Sequence, residues 1–285
     1  MKLYLKIFEF FLNSSIWVAI TVSALVEITC VDIGVKTSVF LRFFIFLGTI
    51  FGYNFIKYFE KTHLSVFHPM VLKVNFTNIS EKFKELQLQE KATFLLSVFS
   101  AISCCVFSFK LNYETLVLLC IPALLSFFYA VSYRNKTLRS TSGLKIYVVG
   151  VVWAIVTVIL PVVDAKIDVD YDVWITFVQR VIFVVVLILP FEIRDLSVDD
   201  LSLGTLPQKI GVQKTKLFGA VLLLIFLLLE FFKDEVLELN VVVLPVIFII
   251  TLFFLINSTV KQSKYYASIF VEGIPIIWLL LLLVL

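Results

Sequence analysis

Between Phe11 and Leu285 the chain carries nine apolar runs of roughly 16 to 21 residues, the length a helix needs to cross the ~30 Å hydrocarbon core of a bilayer. They cover about 11–30, 37–53, 92–109, 113–133, 146–163, 173–190, 217–232, 236–256 and 265–285. In hydrocarbon every backbone N–H and C=O must be paired within the protein, so runs of this length are expected as helices. Composition agrees, with 61% hydrophobic residues, 16% charged residues and a mean hydropathy of +1.04. The expected fold is therefore all-α, a polytopic bundle of about nine transmembrane helices. Residues 1–285 read as a single transmembrane domain without an internal repeat. The first run is too long for a signal-peptide core and no small-residue cleavage site follows it, so it counts as a span.

A formal charge of +3 is too small to imply a nucleic-acid partner, and the sidedness of the charge is more informative. Of the 24 Lys and Arg, 18 fall at the N-terminus or after even-numbered spans, and five on the other side. The positive-inside rule then makes the N-terminus and three cap loops, 54–91, 134–145 and 191–216, cytoplasmic. A bacterial inner membrane is the expected location. A solute transporter would favour broken midplane helices or paired repeats, and the sequence has neither.

The long polar segment of the second half is Pro190 to Gly211, PFEIRDLSVDDLSLGTLPQKIG. It spaces Glu192, Asp195 and Asp199 three and seven residues apart, on one face if helical. Carboxylates so close repel one another, which points to basic side chains or divalent cations between them. Other polar residues carry weaker signals. His63 and His68 read as loop histidines, and 81–90 as a short surface helix. The four cysteines read as inert small hydrophobes, and Asp164, Asp168, Asp170 and Asp172 as a solvated loop on the opposite side. Arg180 lies deep in the sixth span, where a charge costs ~2.5 to 3.5 kcal/mol. It is expected, with Gln179, to pair with an interior acid such as Glu272 or to touch substrate.

The order of these loops resembles the UbiA superfamily of intramembrane prenyltransferases. That family has nine helices, one acidic motif after the second and another after the sixth. Its second motif reads like DIRDxxGDxxxGxxTLP, and this chain has Glu192-Ile193-Arg194-Asp195, Asp199 and Gly204-Thr205-Leu206-Pro207, followed by Lys209-Ile210-Gly211. The segment from Tyr129 to Gly150 resembles the family's connection between helices four and five. The first motif, NDxxDxxxD, departs. Asn54 is in place, but its three aspartates become Phe55, Tyr58 and Thr62, with Lys57 and Lys61 alongside.

The resemblance implies transfer of a prenyl group from an isoprenoid diphosphate to a small aromatic or lipid acceptor at the cytoplasmic side. It implies magnesium held by Glu192, Asp195 and Asp199, with as little as one ion given the altered first motif. Asp195, Asp199 and Asn54 would be the catalytic set, and Arg139, Lys145, Lys57, Lys61 and Arg194 the diphosphate-binding set. Metal ions and cations lower the barrier to C–O cleavage by stabilising charge on the leaving oxygens. Lys57 and Lys61 either supply such charge in place of a metal or pair with Glu192, Asp195 and Asp199 and close the site. The alternative function is an inactive member that binds an isoprenoid or quinone-like lipid or assists a partner membrane protein.

Overall fold

The computed structural model describes residues 2–62, 88–130, 143–200 and 203–285, and for residues 2–7, 58–62 and 130 the backbone alone. These residues form eleven helices: α1 (Lys2–Asn13), α2 (Ile16–Asp32), α3 (Val39–Thr62), α4 (Leu88–Ser108), α5 (Tyr113–Ala130), α6 (Lys145–Asp164), α7 (Tyr171–Asp195), α8 (Leu206–Ile210), α9 (Val212–Phe232), α10 (Asn240–Asn257) and α11 (Tyr266–Val284). Seven of them, α3, α4, α6, α7, α9, α10 and α11, are long and apolar enough to span a bilayer. The 17-residue α2 and the 18-residue α5 take the two remaining expected places in a multi-pass membrane protein.

At the centre stand α2 and α7. Ten of the 17 residues of α2 and 14 of the 25 of α7 are buried, because other helices surround both. Helix α7 packs on α6, α9 and α10, while α2 packs on α3 and α11. Gly150 lets α6 and α7 approach, since a Cβ there would come 3.2 Å from the Val181 carbonyl oxygen. Phe183 of α7 meets Phe226 of α9 at 5.5 Å and Trp278 of α11 at 5.2 Å, edge-on to the latter. On α4, by contrast, Leu95, Phe99, Ile102 and Val106 recur every three to four residues and are all exposed, a stripe suited to lipid tails.

Two expected spans are re-bounded. The first is broken at Ser14–Ser15, where Ser15 adopts φ 64, so α1 and α2 are separate helices. The second continues past Asn54 to Thr62, making Asn54 and Lys57 helical.

Arg180 does not pair with Glu272. Its guanidinium donates to the Leu25 carbonyl oxygen (2.8 Å), Thr29 Oγ1 (3.1 Å) and Thr157 Oγ1 (3.2 Å), and lies 5.6 Å from the Trp278 ring centroid. Thr157 sits in a π-helical stretch of α6, Ile155–Ile159, which carries that hydroxyl to the guanidinium. Gln179 donates instead to Glu230 Oε2 (3.0 Å), within a buried cluster at the end away from the Pro190–Gly211 motif. There Lys233 Nζ lies 2.9 Å from both Asp32 Oδ2 and Glu230 Oε2. Asn240 Nδ2 donates to Asp32 Oδ1 (2.5 Å) and Glu230 Oε1 (2.7 Å).

The acidic group at that end is a solvated loop only in part, since Asp168 and Asp170 are exposed but Asp164 is buried. Asp164 Oδ2 accepts from Ser38 N–H (2.7 Å), Asp170 caps α7 through Val173 N–H (2.9 Å), and Asp172 accepts from Asp234 and Glu235 N–H (2.8 and 3.0 Å). His63, His68 and residues 81–87 lie outside the described residues.

Candidate active site

Helix α7 runs through Pro190 and ends at Asp195, so the last two turns deliver the motif from a rigid, buried rod. Glu192 points inward and is 2% exposed. Its Oε2 accepts from Leu206 N–H (3.3 Å) at the start of α8, and its Oε1 stands 3.3 Å from Lys145 Nζ, too oblique for a hydrogen bond. The chain continues one further turn, Asp199 N–H donating to the Asp195 carbonyl oxygen (2.8 Å). This leaves Asp199 Oδ2 buried with no hydrogen-bond partner. Tyr129, buried at the end of α5, is within electrostatic reach of both Glu192 and Asp199.

Asp195 faces elsewhere. Both of its oxygens are taken by the neighbouring Arg194, Nε to Oδ1 at 2.7 Å and Nη2 to Oδ2 at 2.9 Å. Arg194 Nη1 also reaches Ser268 Oγ (3.4 Å) and the Lys264 carbonyl oxygen (3.5 Å), tying the motif to the start of α11. The turn after Asp199 is closed by Gln208, whose Nε2 donates to the Asp199 and Asp200 carbonyl oxygens (3.3 and 3.2 Å) and whose Oε1 accepts from Thr205 N–H (2.9 Å). Gly143, at φ 81, brings the α5–α6 connection against it; a Cβ there would lie 3.1 Å from Lys209 Nζ.

The sequence itself matches no family model, and no curated protein matches it. Solved structures do match over nearly the whole chain. A UbiA homolog from Archaeoglobus fulgidus covers 97% of this chain with 98% of its own, at a TM-score of 0.63 and 11% identity. The same comparison for a structure of a UbiA homolog from that organism bound to GPP and Mg2+ gives 96%, 97%, 0.63 and 12%. A digeranylgeranylglyceryl phosphate synthase gives 96% and 95% coverage at 0.57 and 18%. This chain has the UbiA fold.

Within that UbiA fold Asn54 and Lys57 form a structural anchor. Asn54 is buried, accepting at Oδ1 from Ser15 Oγ–H (2.9 Å) and donating from Nδ2 to the Ser14 carbonyl oxygen (3.0 Å). Lys57 Nζ donates to the Asn13 carbonyl oxygen (3.1 Å) and Ser15 Oγ (2.9 Å). Both residues thus hold the α1–α2 break, and Lys57 makes no ion pair with Glu192, Asp195 or Asp199. Glu192 and Asp195 find other cations, Lys145 and Arg194. Lys61 belongs to the end of α3, with its side chain outside the described residues, as is Arg139.

Two carboxylates among the described residues, Glu192 and Asp199, each keep an oxygen that could ligate a divalent cation. Among the described residues no three His, Cys, Asp or Glu side chains gather around one point. The buried carboxylate oxygens without a hydrogen bond, among the described residues, are Glu192 Oε1 and Asp199 Oδ2. Mg2+ is commonly held by one or two carboxylates, with water and substrate phosphate oxygens supplying the rest, and these two meet that requirement. Asp195, chelated by Arg194, does not join them. Reasoning from sequence overlooked Trp17 and Tyr53 on this half of the molecule, because each sits inside an apolar run, and singled out Glu272 only as a partner for Arg180.

Proposed function

We propose that this protein is a membrane prenyltransferase that moves a prenyl group from an isoprenoid diphosphate to a small or lipidic acceptor, with its site at the cytoplasmic face. The observation that carries the reading is the pair of carboxylates Glu192 and Asp199, each with a buried oxygen lacking a hydrogen bond, beside Lys145 and Arg194 at the motif end of a UbiA fold. Buried polar atoms are seldom left without partners, so this pair is suited to a cationic ligand. GPP and Mg2+ are bound by the Archaeoglobus fulgidus relative, which supports the same ligand class here.

Glu192 and Asp199 would hold a single Mg2+, whose bound charge would stabilise the diphosphate leaving group. Lys145 and Arg194 would hold phosphate oxygens, at the expense of their present ion pairs. Tyr129 and the apolar interior would line the prenyl chain and keep water from the allylic carbon.

One observation favours a second reading, a lipid-binding member without transferase activity. The first-motif aspartates are absent and Arg194 occupies both oxygens of Asp195. Turnover of labelled geranyl, farnesyl and geranylgeranyl diphosphates, with and without Mg2+, separates the two. Asp199→Asn should lower turnover by about 100-fold or more, the range seen when one charge-stabilising group is removed. Absence of turnover together with binding of the free prenyl alcohol would favour the lipid-binding reading.

A further inference from the structure

The end of the bundle opposite the motif carries a pocket with no role in the reading above. It holds about 650 Å3 and lies between the α4–α5 and α6–α7 connections, with Tyr113 and Glu114 on one side and Lys166, Ile167 and Asp168 on the other. Asn112 ties the two walls together, its Nδ2 donating to the Asp164 carbonyl oxygen (3.2 Å). The volume falls within the ~300 to 1,000 Å3 usual for small-molecule sites.

The charged side chains of this pocket are not spent on one another. One base, Lys166, and two acids, Glu114 and Asp168, line it, yet among the described residues none of the three side chains forms an ion pair or a hydrogen bond. The backbone holds Lys166 in place at φ 57, a left-handed conformation that a residue with a side chain adopts only under local constraint. Lys166 N–H donates to the Val163 carbonyl oxygen (3.0 Å) and Ile167 N–H to that of Val162 (3.2 Å), which fixes the turn.

From the pocket an apolar strip runs along α5. Tyr113, Val117, Ile121, Leu124 and Phe128 recur every three or four residues and are all exposed, so they share one face of the helix, with Tyr113 at the pocket itself. At the same end Tyr171 and Trp174, in the first turn of α7, are exposed as well. Exposed Tyr and Trp at helix ends mark the headgroup level of a bilayer. The pocket therefore lies at the depth of lipid headgroups and the strip at the depth of their chains.

A matching ligand has one anionic group for Lys166, one cationic group with N–H donors for the two carboxylates, and an apolar tail. We propose that this pocket binds the head of a zwitterionic phospholipid with a primary amine, of the phosphatidylethanolamine class. Its phosphate meets Lys166, its ammonium lies between Glu114 and Asp168, and an acyl chain follows the α5 strip. An anionic lipid would bring its phosphate against two carboxylates with no amine to offset them. A choline head carries the right charges but has no N–H to donate. The site is far along the bundle from the Pro190–Gly211 motif and does not depend on the prenyltransferase reading.

The test uses the full chain purified in detergent, with binding of phosphatidylethanolamine, phosphatidylcholine and phosphatidylglycerol of identical acyl chains followed by native mass spectrometry. Wild type should bind the ethanolamine lipid about tenfold more tightly than the other two, the worth of one hydrogen bond to a charged group. The double variant Glu114→Gln, Asp168→Asn should lose the preference for ethanolamine over choline, and Lys166→Gln should weaken binding of both by about tenfold. All three residues are exposed, so the melting temperature without added lipid should stay at the wild-type value. Glycerophosphoethanolamine, the same head without acyl chains, should not displace the lipid at equal concentration. Equal affinity of wild type for the three lipids, a preference for phosphatidylglycerol, or no binding of the ethanolamine lipid overturns the proposal. So does wild-type binding by both variants, or displacement by the chainless head, which would leave the α5 strip without a part.

Discussion

Replacing Lys233 by methionine tests the charge cluster that closes the end of the bundle opposite the motif. The ammonium is 4% exposed and lies 2.9 Å from both Asp32 and Glu230, whose side chains are 11% and 6% exposed. Burial pulls the Lys233 pKa down, but the two carboxylates more than offset this and hold it above its ordinary 10.5. Methionine would leave two buried carboxylates facing each other with Asn240 alone between them, and breaking a buried pair costs about 3–5 kcal/mol. The exposed pair of Lys264 with Glu9, at 67% and 38% exposure, provides the control, because exposed pairs contribute about 0–1 kcal/mol. Unfolding in detergent, followed by tryptophan fluorescence against denaturant, should show the large loss for Lys233→Met and almost none for Lys264→Met. The triple variant Asp32→Asn, Glu230→Gln, Lys233→Met should recover part of that loss, since the uncompensated charges are gone. The sign of the pH effect follows from the raised pKa. This contribution is complete below about pH 10.5 and falls as pH rises past that value. A Lys233→Met protein within 0.5 kcal/mol of wild type would refute the description of this cluster as a buried charge lock.

Three further outcomes follow from the same geometry. Asn54→Ala removes two buried hydrogen bonds and strands the Ser14 carbonyl oxygen, so stability should fall by about 1–3 kcal/mol in the same unfolding assay. Phe183→Ala empties the ring cluster with Phe226 and Trp278 and should cost about 3–5 kcal/mol. Arg194→Gln frees both Asp195 oxygens, so titration calorimetry should find tighter Mg2+ binding and weaker diphosphate binding than in wild type.

The helical bundle was legible in the sequence because a bilayer imposes one strong rule on length and polarity, and the second acidic motif stood out as a long polar segment between spans. The break at Ser14–Ser15 was not legible. Three polar residues, Asn13 to Ser15, vanish in a hydropathy average over some twenty positions, and the φ of Ser15 depends on Asn54 and Lys57, about 40 residues away. Helix spacing grouped Asp195 with Glu192 and Asp199 on one face. The local chelate with Arg194, a neighbour along the chain, overrode that periodicity. Arg180 illustrates a different limit. Sequence shows that a buried guanidinium needs partners, yet the rotation of α2 and the π stretch of α6 decide that these are Leu25, Thr29 and Thr157 instead of Glu272.

The central claim is that Glu192 and Asp199, without Asp195, form a one-ion site for a prenyl diphosphate. Calorimetric titration of geranyl diphosphate into the purified protein, with and without Mg2+, addresses it directly. Wild type and Asp195→Asn should both bind more tightly with Mg2+, by about tenfold or more, and Asp199→Asn and Glu192→Gln should lose that enhancement. Equal Mg2+ enhancement in all four proteins, or a loss confined to Asp195→Asn, would contradict the account.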